Sequence, residues 1–300
     1  MGMIALDCDD LFATWRDQAR VLLGHGIDPS QVTWAQGPVA DLLAVPTALP
    51  EGSGPFRAKV PAALLSQLEQ AARYRGEQRW NLLYEVLWRV AHGDRTAMLA
   101  GDRLGSELQR RINQVTREAH HLHAFVRFVP LPEVLAEQLQ LDLVAYHEPA
   151  HDILESASAH FADRLGRLRW MIATARDGIH FDGQAFDYRR QCPEPWRQWA
   201  RNIEDPGAEL WRTYYRHTFN PARLNPDALR LHMPGRFWRH LPEGMLIPQL
   251  EGLARQGKQR DGQAVEVAAQ SGKKISKPAS DCRGAATDRV HARAGGGHDQ

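Results

Sequence analysis

Helical periodicity comes in blocks, and that order is the strongest constraint this sequence places on its fold. From Pro61 onward, Leu64, Leu65, Leu68, Ala71 and Ala72 recur on one stripe. Trp80, Leu83, Tyr84, Leu87 and Ala91 form a second, with Gly93 as the stop. A third helix is expected over 105–120. It runs into 123–129, which is rich in aromatic and β-branched residues and predicts a strand with His123, Phe125 and Arg127 on one face. Further strands are expected at 141–147, 169–175 and 178–181, the last two as a hairpin edge closing near Asp182-Gly183, with a helix at 153–165. After Pro195 the chain is again helical, in two pieces broken at Asp205-Pro206-Gly207. Such an order predicts an α+β fold, a mixed or antiparallel sheet packed with several helices, and not the strict βαβ alternation of a Rossmann domain.

Ahead of the helical block, the start of the chain reads as a short edge strand. A helix capped by Asp10 follows and runs through Leu23, then a strand over 31–36. Residues 38–55 have the Pro, Gly and Ser density of a connector, which sets the expected organisation: an N-terminal α/β subdomain with connector (1–55), a main α+β domain (56–255) and a tail (256–300). The tail has no aromatic, no Leu and no Met, and seven Gly in 45 residues. Such a segment cannot offset its ordering entropy, so a disordered tail or linker is expected. No apolar run approaches the roughly 18 residues that span a bilayer, and the acidic start is unlike a secretory leader, so a cytoplasmic protein without a membrane partner is expected. Cys8, Cys192 and Cys282 are too far apart for a CxxC pair, so neither a zinc ribbon nor a complete cysteine-ligated iron-sulfur set is spelled, and no cofactor is expected.

Charge divides unevenly along the chain. Residues 1–255 carry 28 Arg and one Lys against 31 acidic residues, whereas 256–300 carry eight basic and five acidic groups. A body with no basic excess cannot grip nucleic acid by bulk charge, so any DNA affinity needs a local patch or the tail. With Lys59 the one lysine of the body, Schiff-base chemistry has only that side chain or the N-terminal amine to use.

Three constellations carry chemistry. His147-Glu148-Pro149-Ala150-His151 matches HExxH, yet it follows an expected strand and contains Pro149, so a turn in which Glu148 and His151 make local hydrogen bonds is the simpler reading. His120, His121 and His123, preceded by Arg117 and Glu118, are either exposed helix-end histidines or the wall of a polar pocket able to shuttle protons or hold a metal. The third lies between Trp196 and Arg223, where aromatics alternate with arginines as in many single-strand binders. Trp211, Tyr214, Tyr215, Thr218 and Phe219 nevertheless fall at the spacing of a core-facing stripe, leaving Arg212, Arg216 and Arg223 to meet phosphates from a neighbouring face. No nucleotide-binding glycine loop or nucleophile elbow is present.

Three segments together resemble a bacterial family of DNA-metabolism proteins encoded beside a radical SAM, helix-hairpin-helix DNA-repair protein. They are Thr116-Arg117-Glu118-Ala119-His120 with Phe125-Val126-Arg127-Phe128; Glu148 to Leu154 with His160-Phe161-Ala162-Asp163-Arg164 and Trp170; and Trp211-Arg212-Thr213-Tyr214-Tyr215 with Phe219 to Leu224, Met233-Pro234 and Phe237-Trp238. The likeness covers roughly residues 1–253 and lacks His147. It implies a DNA-repair context with a radical SAM protein or an iron-sulfur uracil-DNA glycosylase as partner, and supplies no catalytic residues. In the tail, Ser280-Asp281-Cys282-Arg283-Gly284 resembles the first cluster motif of such a glycosylase, with Ala285 where the second Cys would fall, as in a truncated fusion. The leading expectation is a DNA-repair accessory protein that binds DNA or a repair enzyme. The alternatives are an enzyme acting on damaged DNA through Glu148, His151, His120, Arg117 and Arg127 converging in one pocket, and a structural adaptor without catalytic activity.

Overall fold

The computed structural model describes residues 3–35, 49–52, 54–57 and 59–255. The expected tail and most of the 38–55 connector lie outside the described residues. At the N-terminus, β1 (Ile4–Asp7) and β2 (Val32–Ala35) pair in parallel across α1 (Phe12–Gly24). Three helices follow as a block: α2 (Ala62–Ala72), α3 (Arg79–Ala91) and α4 (Arg103–Phe125). Asp102 starts the longest of them by accepting the Leu104 and Gly105 amides at 2.8 and 3.2 Å, while Arg89 donates to the same carboxylate at 3.0 Å.

The apolar core does not divide at residue 55. Trp15 and Trp34 pack in one cluster with Leu64, Leu68, Trp80 and Tyr84 and with the first half of α4 through Leu104, Leu108 and Ile112. Trp15 stacks on Trp80 at 6.0 Å, and the Tyr84 hydroxyl donates to the Ile27 carbonyl at 2.7 Å. The cause is simple: a two-stranded sheet with one helix cannot bury both faces of Trp15 and Trp34 alone, so α2 and α3 complete the cluster. Asp10 is not the cap of α1 either. It sits at φ +59°, and its carboxylate accepts from the Arg79 guanidinium and the Trp80 indole N–H.

The second core surrounds a five-stranded mixed sheet in the order β3 (Phe128–Pro130), β4 (Leu143–Tyr146), β5 (Trp170–Ala173), β6 (Gly178–Phe181) and β7 (Phe186–Arg189). Only β4 and β5 run parallel, joined by a crossover through α6 (Leu154–Ala157) and α7 (Ala159–Leu165); α5 (Glu133–Leu139) links β3 to β4. Strand alternation sorts side chains to two faces. Ala145, Trp170 and Ile172 join Val115 and Leu122 of α4 with Phe161, whereas Val144, Met171 and Ala173 join Leu131, Leu141 and Ala200 on the other side. All four residues of β5 are buried, as a central strand covered on both faces requires. It is therefore not the edge the sequence suggested: its turn to β6 lies at Thr174–Asp177, and Asp182-Gly183 instead connects β6 to the unanticipated β7.

The strand expected over 123–129 begins only at Phe128, because α4 continues to Phe125 and the Val126 amide still bonds to the Leu122 carbonyl. His123 and Phe125 are helical and share no strand face with Arg127. The C-terminal part contains α8 (Glu194–Asn202), α9 (Ala208–Thr218), α10 (Pro226–His232), a 3-10 turn over Gly235–His240, and α11 (Leu246–Arg255). No residue of α9 is buried; Trp211 is 38% exposed and Tyr214 59%, so the aromatic stripe is not the core stripe its spacing suggested. No helix among the described residues is long and apolar enough to cross a membrane.

Candidate functional site

A cleft of about 560 Å³ opens where the carboxyl end of β4 meets α8, α9 and the 235–240 turn. Pleating builds its floor. Val144 and Tyr146 lie on the same face of β4, and Glu148 follows two residues beyond Tyr146 to receive its hydroxyl hydrogen bond at 2.9 Å. Arg201, in the last turn of α8, lays its guanidinium over the Tyr146 ring at 4.6 Å and donates to the same hydroxyl. Arg239, delivered by the 235–240 turn, donates to the Glu148 carboxylate.

Two further arginines line the cleft, each with a carboxylate of its own. Arg127, between α4 and β3, pairs with Glu243 at 2.6 Å and covers the Trp211 ring at 3.9 Å. Arg212 of α9 pairs with Glu209 at 2.5 Å and donates to the Pro242 carbonyl at 3.3 Å. Arg201 and Arg239, by contrast, share Glu148, at 3.7 Å for Arg201. Asp205 also lines the cleft, accepting the Gly207 amide at the head of α9.

Electrostatics fix the protonation states. Burial raises the Glu148 pKa, but the Tyr146 hydrogen bond and the nearby Arg239 guanidinium oppose it, and the carboxyl is held below its ordinary range and stays ionised. Burial lowers His240, against the pull of Glu148. Its Nε2 accepts from Arg239 Nε at 3.0 Å, the hydrogen bond of a neutral imidazole protonated on Nδ1. His240 thus orients Arg239.

The turn carrying Arg239 and His240 is fastened from beneath. Phe237 is buried, stacks on His147 at 5.1 Å, and lies 5.4 Å from both His121 and Phe125. Arg236 donates to Glu118 of α4, a buried carboxylate that also accepts the Ala150 amide at 2.7 Å. His147 is enclosed, and burial, with the nearby Arg236 charge adding to it, lowers its pKa to about 3. At neutral pH it is uncharged.

Glu148, Arg127 and Arg212 therefore meet in one cleft, but the five side chains of the enzyme reading do not. Arg117 and His120 line a separate depression of about 290 Å³ with His121 and His232. His151 packs tilted against Tyr74 with ring centroids 4.5 Å apart, and its Nδ1 accepts the Arg75 amide at 3.3 Å. It and His147 follow a strand and occupy no helix, so HExxH fails as a ligand pair in the way Pro149 foretold. Arg216 and Arg223 are exposed outside the cleft. Sequence reasoning missed Tyr146, Arg239 and His240. The one usable signal was position, since residues just past a strand's carboxyl end commonly line sites in α/β sheets.

Association with radical SAM and iron-sulfur partners is corrected on one point. Among the described residues no group of three or more His, Cys, Asp or Glu side chains could hold a metal ion, so the description of this chain as radical SAM associated has no metal-ligating counterpart and does not stand. The Cys282 motif lies outside the described residues.

No curated protein and no solved structure matches the chain significantly. Residues 77–243, more than half of the 300, match a family spanning the end of the first core, the sheet and the cleft. The chain belongs to the family described as Domain of unknown function, DUF4130.

Proposed function

We propose that this chain is a cytoplasmic accessory protein of DNA metabolism that binds single-stranded DNA through the arginine cleft. One observation carries the reading: two guanidiniums, Arg201 and Arg239, share one carboxylate in a cleft whose Arg127 also lies over the partly exposed Trp211 ring. Two guanidiniums on one carboxylate make a local positive excess within a cleft that Asp205 also lines, and a partly exposed ring offers the sequence-tolerant stacking that unpaired bases use. The family resemblance of the sequence supports the DNA context. Catalysis through the five expected residues is not part of the proposal, because they line no common cleft.

Fluorescence anisotropy of the full chain with single-stranded, duplex and uracil-containing oligonucleotides across a salt series tests it. Single strands bind best, and Trp211→Ala weakens them by about tenfold, the order of one lost base stack. Arg201→Gln lowers the salt slope by about 0.7 for one lost phosphate contact. Equal affinity for duplex and single strand, or no response to either substitution, refutes the assignment. The exposed Leu210 of α9 and Leu231 of α10 favour a second reading, docking of a protein partner on these two helices. That reading gains if DNA fails to bind.

A further inference from the structure

Glu148 occupies the position a ligand anion would take. Its Oε1 accepts from Tyr146 and faces Arg201, and its Oε2 accepts from Arg239. We propose that Glu148 is a resident anion that makes the Arg201–Arg239 clamp selective for phosphate monoesters, such as the phosphorylated end of a strand, over internal phosphodiesters. The inference rests on the cleft being a nucleic-acid site and assigns what part of the strand enters it.

Geometry separates what can move from what cannot. Glu148 follows His147, whose amide is bonded to the Ala173 carbonyl and whose ring is packed on Phe237, so the carboxylate is tied to the sheet. The two guanidiniums sit on long, accessible arms, 50% exposed for Arg201 and 64% for Arg239. A ligand can draw the arms away from Glu148, but it cannot displace Glu148 from the site. The arms leave their carboxylate only for a better anion.

Charge decides which anions qualify. An internal phosphodiester carries one negative charge, the same as the carboxylate it competes with, and it must also approach that carboxylate. Exchange gains little. A terminal monoester carries about −1.5 to −2 near pH 7 and offers three acceptor oxygens, enough to engage both forks at once. Arg127 does not take part, being held by Glu243 and Trp211, which gives the site a fixed wall opposite two mobile donors. The cleft volume suits a nucleotide end.

The test uses the full chain and internally labelled single strands about twelve nucleotides long, carrying a 5′-phosphate, a 3′-phosphate or hydroxyls at both ends, with thymidine 5′-monophosphate as competitor. The wild type should prefer one phosphorylated end by about tenfold, the order of one charge-assisted pair at a partly exposed site. Glu148→Gln should bring the ratio close to unity, chiefly by improving binding of the hydroxyl-ended strand, while Arg239→Gln should do so by weakening the phosphorylated one. Strands that bind regardless of their ends, or a preference that survives Glu148→Gln unchanged, overturn the inference and leave the single-strand reading standing. Competition-sensitive binding of the mononucleotide with no strand binding supports the clamp and overturns the single-strand reading instead. Arg239 is an exposed arm, so its variant keeps the test valid should Glu148→Gln fold poorly.

Discussion

Replacing Arg236 by alanine should loosen the turn that carries Arg239 and His240, and the size of the effect follows from where its partner sits. Glu118 has only 4% of its side chain exposed, while that of Arg236 is 41% exposed. Removing one member of a fully buried pair costs about 3–5 kcal/mol, since the remaining charge is left uncompensated. Water reaches the guanidinium, and Glu118 keeps the Ala150 amide at 2.7 Å, so the figure falls to about 2 kcal/mol. For a chain of this size that is about 3–4 °C in Tm. Urea unfolding of Arg236→Ala, Glu118→Gln and the double variant measures the pair directly. Glutamine keeps an acceptor for Ala150 while removing the charge, and the cycle should return a coupling of about 1–2 kcal/mol. Amide exchange at Phe237 and Trp238 should accelerate in the Arg236 variant. Strictly additive single effects, with exchange in the turn unchanged, would show that the turn is held by Phe237 alone and that the ion pair is incidental.

Phe237→Ala should cost about 3–4 kcal/mol in chemical denaturation, because a fully buried ring wedged between His147 and the α4 residues His121 and Phe125 leaves a cavity that the packed helix and sheet end cannot collapse; a loss below about 1 kcal/mol would contradict that packing. Tyr84→Phe leaves the Ile27 carbonyl without its 2.7 Å donor and should cost about 1–2 kcal/mol in the same assay. His147 binds its proton near pH 6.5 when unfolded and only near 3 when folded, so between those values the unfolded state holds more protons and stability falls as the pH is lowered. Over that window wild type should lose up to about 1.4 kcal/mol per pH unit more than His147→Gln, measured by urea midpoints at pH 7, 6 and 5. Parallel curves for the two proteins would rule out the buried neutral imidazole.

Local pattern was enough for what local physics decides. The stripes of α2 and α3 and the apolar runs of β4, β5 and β6 were legible because their burial follows from period 3.6 or 2. Trp211 and Tyr214 show where that ends: periodicity says a helix has an apolar face, not that anything covers it, and Trp211 is covered by a guanidinium instead of a core. The end of α4 was misplaced because β-branched and aromatic residues near 123–129 favour a strand locally, while burial of His121 and Leu122 carries the helix on. The cleft was half legible. Glu148, Arg127 and Arg212 stood out by residue type, but the contacts that assemble them, Arg239 to Glu148, Arg236 to Glu118 and Arg127 to Glu243, join positions some ninety to 120 residues apart and leave no mark on nearby sequence.

Helix α4 serves both cores, with Leu104, Leu108 and Ile112 in the first and Val115 and Leu122 in the second. It therefore sets a phase. One residue inserted between Ile112 and Val115 would turn one half against the other by about 100° and advance it by about 1.5 Å, so only one of the two cores could keep its face of the helix. Four residues restore the angle to within about 40° but shift the sheet by about 6 Å along the axis. Neither repair is complete, which makes the length of this segment, more than its composition, the quantity that homologous chains must hold constant if the cleft at the far end is to keep its place relative to the N-terminal core.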